Sequence, residues 1–260
     1  LKKNKRDGNG NIIYPNGVEY SGKWKDDKKN GKGKIIKDGT IIIGNFKNNN
    51  VEGKGTCIFS NGDKYEGMWK KFKRNGRGTM NYINGNQYIG KWENDKKKGK
   101  GIYIWKDGKQ YNGMFENSMG HGKGIMTYSD GRKYNGLWKN GKQEGYGIMT
   151  YIDNAEYDGI WKNGKQEGHG IMTYPDNAEY YGMWKNGRKE GHGIMTFPNG
   201  KKYEGMWKND RPGGHGIMIY PNGKYDGMWK NGKPEFVSGL EILAKTVLNS
   251  NKKRKRKREE

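Results

Sequence analysis

The stretch Tyr180-Tyr181-Gly182-Met183-Trp184, followed by Gly191-His192-Gly193, decides the fold because its pattern returns ten times along the 260 residues. Each repeat has an aromatic residue, one residue, glycine, one residue and a second aromatic residue, with Ile42 replacing the first aromatic residue once. In all but the last repeat, Gly-x-Gly begins seven residues further on. Successive repeats are 23 residues apart, or 22 at the two ends. The first position is occupied by Tyr20, Ile42, Tyr65, Tyr88, Tyr111, Tyr134, Tyr157, Tyr180, Tyr203 and Tyr225. A period of this length is typical of a solenoid or an extended stack.

The spacing within one repeat predicts two antiparallel β-strands. Tyr180, Gly182 and Trp184 are two residues apart, which places all three on one face of a strand. The second segment, 191–197, alternates in the same way. The Asn-Gly pair at 186–187 is a strong signal for a hairpin turn between the two segments. Each repeat is therefore expected to be a β-hairpin that needs its neighbours to bury its aromatic side chains.

Ten such hairpins predict an all-β fold, namely an elongated, single-layer, twisted antiparallel sheet. Two strands at about 4.8 Å add roughly 10 Å per repeat, so the sheet should be on the order of 90 to 100 Å long. The glycines that recur on the aromatic face leave hollows beside the backbone. We expect the tyrosine and tryptophan rings of one repeat to lie over the glycines of its neighbours.

The pattern Tyr-x-Gly-x-Trp-x-x-Gly-x-x-x-Gly-x-Gly at residues 157–170 resembles the MORN repeat. The resemblance covers about residues 8 to 234 and is weakest at the repeat that contains Ile42. It implies a sheet of stacked hairpins and a scaffold or adaptor role at cytoskeletal structures or membrane junctions, such as the ciliary radial spoke head. The repeat-defining residues that illustrate it are Tyr157, Gly159, Trp161, Tyr180, Gly182, Trp184, Tyr203, Gly205 and Trp207.

The chain is expected to have four parts. A basic lead-in at 1–7 precedes the repeat array at 8–234, an amphipathic capping helix at 235–250 follows it, and a disordered basic tail occupies 251–260. Phe236, Leu240, Leu243 and Val247 return at helical spacing. The basic run at 252–258 is compatible with a nuclear signal, a lipid-headgroup anchor or a solvated tail.

Repeat-equivalent histidines and glutamates do not predict catalysis or metal binding. Successive positions such as His169 and His192, or Glu167 and Glu190, are stepped by roughly 10 Å, which is too far for a shared metal or a paired acid and base. Gly-x-Gly lies within strands and opens no helix, so it does not form a phosphate-binding loop. We therefore expect a non-enzymatic chain with no catalytic residues, cofactor or metal.

The remaining sequence features bear on cellular location. Cys57 is the only cysteine, which excludes an intrachain disulfide and favours a reducing compartment. No apolar run approaches 18 residues, so no transmembrane span is expected. A cytoplasmic location with cytoskeletal or ciliary association is the prediction, with the nucleus as the alternative that the basic tail raises.

Positive charge is concentrated in the first half. Residues 1–115 have 26 Lys or Arg against 11 Asp or Glu, a net of +15, and the whole chain has a net charge of +23. A row of these cations along one edge of the sheet would attract a polyanion or an anionic surface, although the charge also serves solubility. Lysine dominates, so specific nucleic-acid reading is disfavoured. The residues assigned to anionic-surface binding, which we expect in loops or the tail, are Lys70, Lys71, Lys73, Arg74, Lys96, Lys97, Lys98, Lys252, Lys253 and Arg254.

A second apolar stripe is predicted on the face opposite the tyrosine and tryptophan rings in the last five repeats. In a single-layer sheet nothing within the chain covers this face, and contiguous apolar surface marks an interaction site. The resemblance implies pairing through the C-terminal repeats, which favours an isologous homodimer. The residues assigned to partner binding or self-association are Leu137, Ile160, Met183, Met206, Met228, Ile148, Ile171, Ile194 and Ile217.

Two functional hypotheses follow from these features. The first is a structural scaffold of a cytoskeletal or ciliary assembly, which binds protein partners or itself through the C-terminal repeats. The alternative is a peripheral membrane module that binds anionic phospholipids through the basic half and tail.

Overall fold

The computed structural model describes residues 5–235, which form 21 β-strands and no helix. The chain divides into two compact units, Leu1–Ile152 and Asp153–Glu260. Within each unit, every strand is hydrogen-bonded to the next strand in the chain, and all of these pairings are antiparallel. The expected all-β architecture of antiparallel hairpins is confirmed.

The first unit contains thirteen strands. They are β1 (Gly8–Ile13), β2 (Glu19–Lys25), β3 (Lys28–Lys37), β4 (Thr40–Lys47), β5 (Asn50–Ile58), β6 (Lys64–Lys70), β7 (Lys73–Asn81), β8 (Gln87–Glu93), β9 (Lys96–Ile104), β10 (Gln110–Glu116), β11 (Met119–Thr127), β12 (Lys133–Lys139) and β13 (Lys142–Thr150). The second unit contains β14 (Glu156–Lys162), β15 (Lys165–Thr173), β16 (Glu179–Lys185), β17 (Arg188–Thr196), β18 (Lys202–Lys208), β19 (Arg211–Tyr220), β20 (Gly223–Lys230) and β21 (Lys233–Pro234).

The turn inside each hairpin has two residues, both in the left-handed region. In the β16–β17 hairpin these are Asn186 with φ 51° and Gly187 with φ 82°. Positive φ at both central residues defines a type I′ turn, whose twist matches that of the flanking strands. The type I′ geometry is not restricted to Asn and Gly, because Lys71 and Phe72 in the β6–β7 turn have φ values of 49° and 62°.

In the nine hairpins from β2–β3 to β18–β19, the first strand carries a β-bulge that the sequence pattern does not reveal. In the β16–β17 pair, Gly182 opposes Gly193 and Trp184 opposes Lys189, so Met183 is the extra residue. A bulge re-aims the local backbone. The Tyr180 hydroxyl donates a hydrogen bond to the Met183 carbonyl at 2.9 Å. The same bond, from the tyrosine to the carbonyl three residues on, recurs from Tyr20 to Tyr225 and explains the preference for tyrosine over phenylalanine.

Aromatic rings form edge-to-face series on the buried face of each unit, interrupted in the first unit at Ile42. The ring centroids of Tyr180 and Trp184 are 5.3 Å apart, and Trp207 of the next repeat lies 5.1 Å from Tyr180. Trp184 Nε1 also donates a hydrogen bond to the Gly170 carbonyl of the preceding repeat at 3.2 Å. Edge-to-face pairs contribute about 0.5–1.5 kcal/mol each beyond the burial of their area. Adjacent repeats are therefore joined by ring contacts as well as by backbone hydrogen bonds.

The glycines make room for these rings, but the expected placement was wrong for tyrosine. The Tyr180 ring covers Gly182 and Gly193 of its own repeat, and a Cβ at either glycine would overlap it. The tryptophans follow the expectation, since a Cβ at Gly55 would lie 3.2 Å from Trp69 of the next repeat. Tyrosine therefore covers the glycines of its own hairpin, whereas tryptophan covers a glycine of the preceding one.

The repeat that lacks tyrosine packs with aliphatic side chains. Ile42 pairs with Cys57 across β4 and β5, at the position where tyrosine pairs with methionine elsewhere. Val51 is fully buried, and the Phe46 ring lies 6.3 Å from that of Phe72. The bulge is retained between Gly44 and Phe46. The hairpin geometry thus does not depend on the tyrosine hydroxyl.

Several expectations concern the chain ends. The helix predicted at 235–250 and the tail at 251–260 lie outside the described residues, apart from Glu235. In the lead-in, Arg6 Nε contacts Asp27 Oδ1 at 3.0 Å, next to the first hairpin turn. Within residues 5–235 there is no helix that could span a lipid bilayer.

Candidate protein-binding surface

The face opposite the aromatic rings in the second unit presents two straight rows of side chains, which we call the outer rows. The bulge row consists of Ile160, His169, Met183, His192, Met206, His215 and Met228. The isoleucine row consists of Asp158, Ile171, Tyr181, Ile194, Glu204, Ile217 and Asp226. Strand register sets both rows, since residues directly opposite in neighbouring strands point to the same face.

In the bulge row, the three methionines each face the histidine of the preceding strand. Met183 opposes His169, Met206 opposes His192, and the same relation continues to β20. In the isoleucine row, Ile194 opposes both Tyr181 and Glu204. The structure therefore brings the predicted apolar residues of the second unit onto one face.

The outer rows are accessible. Ile160, Met206 and Met228 are 40%, 42% and 49% exposed, and Tyr181 is 50% exposed. Met183 and the three isoleucines of the isoleucine row are half-buried. By contrast, Tyr180 and Tyr203 on the opposite face have no exposed surface. Large apolar side chains thus remain in contact with solvent along this face.

The expectation of a contiguous apolar stripe was wrong, because polar side chains alternate with the apolar ones. Histidines separate the methionines, and Asp158, Glu204 and Asp226 flank the isoleucines in register. His215 Nε2 lies 3.1 Å from Asp226 Oδ1. The surface is better described as apolar side chains set among histidines and carboxylates.

In the first unit, exposed apolar side chains at the equivalent positions extend over more repeats than predicted. Leu137 is 37% exposed and Ile148 is half-buried. Met68 and Met114 occupy the same bulge position in earlier repeats and are 42% and 38% exposed. The sequence analysis placed the apolar stripe only in the last five repeats and so missed these two methionines, although the 23-residue step points directly to them.

The family model for the MORN repeat matches eleven consecutive segments between residues 1 and 235. The chain belongs to the MORN-repeat family. The matched segments are 1–19, 20–40, 43–64, 65–87, 88–110, 111–131, 134–156, 157–179, 180–202, 203–224 and 225–235. The third begins one residue after Ile42, whereas nine others begin at the tyrosine of the repeat. No curated protein sequence matches the chain significantly.

Three solved structures share a limited likeness with these MORN repeats. The TCP10 domain of Danio rerio CPAP in complex with a peptide of Danio rerio STIL is 9% identical, with a TM-score of 0.48 over 88% of this chain and 97% of that chain. The CPAP G-box domain is 10% identical, with a TM-score of 0.41 over 82% and 99%. The Drosophila melanogaster SAS-4 TCP domain with a proline-rich motif of Ana2 is 13% identical, with a TM-score of 0.33 over 75% and 86%. Identities this low and TM-scores below 0.5 support no inference about function.

The predicted basic cluster lies around two MORN-repeat hairpins, and its placement in loops was largely wrong. Lys71 is a turn residue, whereas Lys70, Lys73 and Arg74 belong to β6 and β7, and Lys96, Lys97 and Lys98 begin β9. Lys98 Nζ contacts Glu93 at 2.9 Å and Glu116 at 3.7 Å. Lys70, Lys71 and Lys73 line an open depression with Asn75, Glu93 and Asn94. Lys252, Lys253 and Arg254 lie outside the described residues.

Arg74 and Lys97 face the aromatic side and belong to a set that sequence reasoning missed. The position five residues after the second aromatic residue of each MORN repeat, here called the cation column, holds Lys29, Arg74, Lys97 and Lys189 in four repeats. The Arg74 guanidinium lies 4.3 Å from the Trp92 ring and bonds to Asp95 at 2.9 Å. Lys97 Nζ lies 4.1 Å from the Tyr103 ring. The recurrence of basic residues at this phase was the signal that could have revealed them.

Burial shifts the pKa values of the Lys97 ammonium and the Cys57 thiol. Burial, together with the positive charge of Arg74, lowers the pKa of Lys97 from its ordinary value of 10.5 to about 8. Burial raises the pKa of the Cys57 thiol to about 11, so the thiol stays protonated and unreactive. Among the residues that the structure describes, no three potential metal ligands lie together.

The lowered pKa of Lys97 predicts a pH dependence of stability. Between about pH 8 and 9 the unfolded chain keeps a proton that folded Lys97 has released, so the free energy of unfolding should rise with pH. Above about pH 9 the Cys57 thiol, which stays protonated in the folded chain, offsets this rise. Above pH 10 it should fall, because burial raises the pKa of Tyr65 and Tyr111 to about 12. Urea denaturation from pH 7.5 to 11 measures both trends. In Lys97→Met the rise should be reduced to the part that Lys189 contributes, because burial lowers the pKa of Lys189 as well, and the fall should be retained. An unchanged rise would contradict this assignment.

Proposed function

We propose that this MORN-repeat chain is a non-enzymatic scaffold whose outer rows in the second unit bind a protein surface. The observation that carries the proposal is the exposure of Ile160, Tyr181, Met206 and Met228 in a regular array. Exposed apolar side chains in register are typical of interaction surfaces, and methionine adapts to different partners. The partner is a second copy of the chain or another protein of the assembly.

The polar residues of the outer rows narrow the chemistry of the partner. Asp158, Glu204 and Asp226 lie beside the isoleucines in register. A partner with apolar side chains flanked by lysine or arginine would match both features, because charge complementarity fixes the register of an interface. Cytoskeletal or ciliary assemblies are the setting that the family resemblance favours.

The proposal is tested by the triple variant Ile160→Lys, Met183→Lys, Met206→Lys. These side chains point away from the aromatic face, so far-UV circular dichroism and thermal unfolding should stay close to wild type. Loss of three apolar contacts should weaken binding by more than about 100-fold. Sedimentation velocity measures self-association, and affinity purification from the source cell with quantitative mass spectrometry measures partner capture.

A charge-matched control separates apolar contact from net charge. Pro175→Lys, Pro198→Lys and Pro221→Lys add the same three positive charges to the second unit in exposed turns outside the outer rows, where Lys106 occupies the equivalent position of an earlier repeat. The control should retain self-association and partner capture. If both triple variants behave like wild type in the two measurements, the outer rows are not the binding surface.

The anionic-surface hypothesis stays a prediction from the sequence. Within the described residues its candidates are now Lys70, Lys71, Lys73 and Lys96, since Arg74, Lys97 and Lys98 are engaged by rings or carboxylates. Liposome flotation with and without anionic lipid is the corresponding measurement. We do not include membrane binding in the proposed function.

A further inference from the structure

A cavity of about 290 Å³ lies on the aromatic face of the first unit, beside Gly120. Its size is at the lower limit for ligand pockets, which suits one side chain rather than a large small molecule. Gly120 is the cation-column residue of its repeat, so the cavity lies where other repeats place a long side chain. Its principal walls are Trp105, Tyr111, Phe115, Met126 and Trp138.

Repeat register shows what fills the equivalent space elsewhere. Lys189 Nζ lies 5.0, 4.9 and 5.0 Å from the ring centroids of Tyr174, Tyr180 and Trp207. These rings come 15 and 9 residues before Lys189 and 18 residues after it. The same offsets from Gly120 lead to Trp105, Tyr111 and Trp138, and all three line the cavity.

Other repeats repeat the arrangement with nitrogen-bearing side chains. Lys29 Nζ lies 5.0 Å from the Tyr14 ring and 5.1 Å from the Tyr20 ring. Gln143 Nε2 donates a hydrogen bond to the Tyr128 hydroxyl at 3.3 Å. The faces of aromatic rings attract cations through their quadrupole, most strongly when the cation is desolvated. At Gly120 the rings are present, but the cation column itself supplies no cation. The nearby cations belong to other positions, since Lys97 Nζ lies 4.1 Å from the Tyr103 ring and Lys109 Nζ lies 4.3 Å from the Trp105 ring.

We propose that the Gly120 cavity binds the side chain of a lysine or arginine supplied by a partner protein. The site lies in the first unit and does not depend on the outer rows. Trp105 and Tyr103 are only half-buried, so a side chain can reach the cavity from solvent. Lys97, the cation-column residue of the preceding repeat, also lines this cavity. A second cation beside Lys97 is compatible with the fold, because Arg74 and Lys97 already lie one repeat apart on this face.

The net charge of +23 repels a cationic ligand at long range. Salt screens that repulsion much more than it weakens a short contact inside a partly buried ring cage. Affinity for a lysine side chain should therefore rise with ionic strength. Binding of a polyanion to the basic surface would show the opposite trend.

The test uses the full ¹⁵N-labelled chain and Nα-acetyl-lysine methylamide, whose ε-ammonium group is free. Nα-acetyl-norleucine methylamide is the neutral analogue of similar shape. The indole N–H signals of Trp105 and Trp138 report on the cavity. The lysine compound should shift these signals and bind at least about tenfold more tightly than the norleucine compound. Equal binding of the two would overturn the proposal. So would tighter binding of N-acetyl-proline methylamide, because Pro212 fills the same column position in another repeat.

A variant in the cavity and a matched control test whether the lysine compound binds at Gly120, and a third variant is kept in reserve. Gly120→Lys should occupy the cavity with its own side chain and abolish the response to the lysine compound. Its Cβ would lie 3.1 Å from Tyr111 Cζ, a contact that a small ring shift relieves. Gln166→Lys adds the same charge at the cation-column position two repeats away and should retain the response. If Gly120→Lys does not fold, Trp105→Leu removes a half-buried wall and should weaken binding at least about tenfold; an unchanged affinity in this variant would refute the site.

Discussion

Tyr180→Ala is expected to destabilise the protein by about 3–5 kcal/mol, the usual cost of truncating a buried aromatic side chain. Tyr180 has no exposed surface and packs edge-to-face against Trp184 and Trp207. Its hydroxyl also bonds to the carbonyl of the bulge residue Met183. The substitution removes the ring from its own hairpin and from the contact with the next repeat.

The neighbouring residue provides the matched control. Tyr181 is the same residue type in the same strand, but it lies on the opposite face and is 50% exposed. Its main ring contact is a stacked one with His169, at 6.3 Å. Tyr181→Ala should therefore cost less than about 1 kcal/mol. Guanidinium chloride denaturation followed by circular dichroism measures both variants, and equal denaturation midpoints would contradict the assignment of the two faces.

Gly193→Ala is expected to destabilise the protein by about 3 kcal/mol, at the upper end of the usual cost of overpacking. A Cβ at Gly193 would overlap the Tyr180 hydroxyl and ring, which are its three nearest atoms. The ring cannot move away without losing its contacts with two tryptophans. Gly200→Ala is the control, because a Cβ there meets nothing within 4 Å. Gly200 has φ 75°, so the control should cost only about 1 kcal/mol of backbone strain.

A double-mutant cycle links the two predictions. Once Tyr180 is alanine, the atoms that a Cβ at Gly193 would overlap are gone. The double variant Tyr180→Ala, Gly193→Ala should therefore be no more than about 1 kcal/mol less stable than Tyr180→Ala alone, because residues in direct contact are not additive. Additive free energies of unfolding would show that Gly193 is required for a reason other than the ring.

The 23-residue period was sufficient to predict much of the fold. Alternation at spacing two correctly placed Tyr180, Gly182 and Trp184 on a buried face, and the Asn186-Gly187 pair correctly predicted a hairpin turn. Both signals are local, because side-chain alternation and positive φ depend on residues adjacent in the chain. The apolar residues of the outer rows were placed on the opposite face by the same alternation.

The bulge at Met183 could not be read from that alternation. One residue is inserted relative to the partner strand, and its presence depends on which residue of that strand it faces. The hydroxyl of Tyr180 donates to the carbonyl of this bulged residue, a contact that the alternation does not reveal either. The alternation of methionine with histidine in the outer rows has the same origin, since pairing between strands sets which residues become neighbours.

The sequence by itself therefore determined the hairpin, its turn and the identity of its two faces. Tertiary structure decided that Arg74 and Lys97 lie against aromatic rings rather than in loops, and that Gly120 leaves a cavity. The physical reason is that a ring cage combines side chains 15 and 9 residues before its centre with one 18 residues after it. Only the stacking of successive hairpins brings residues so distant in the chain within about 5 Å of one cation.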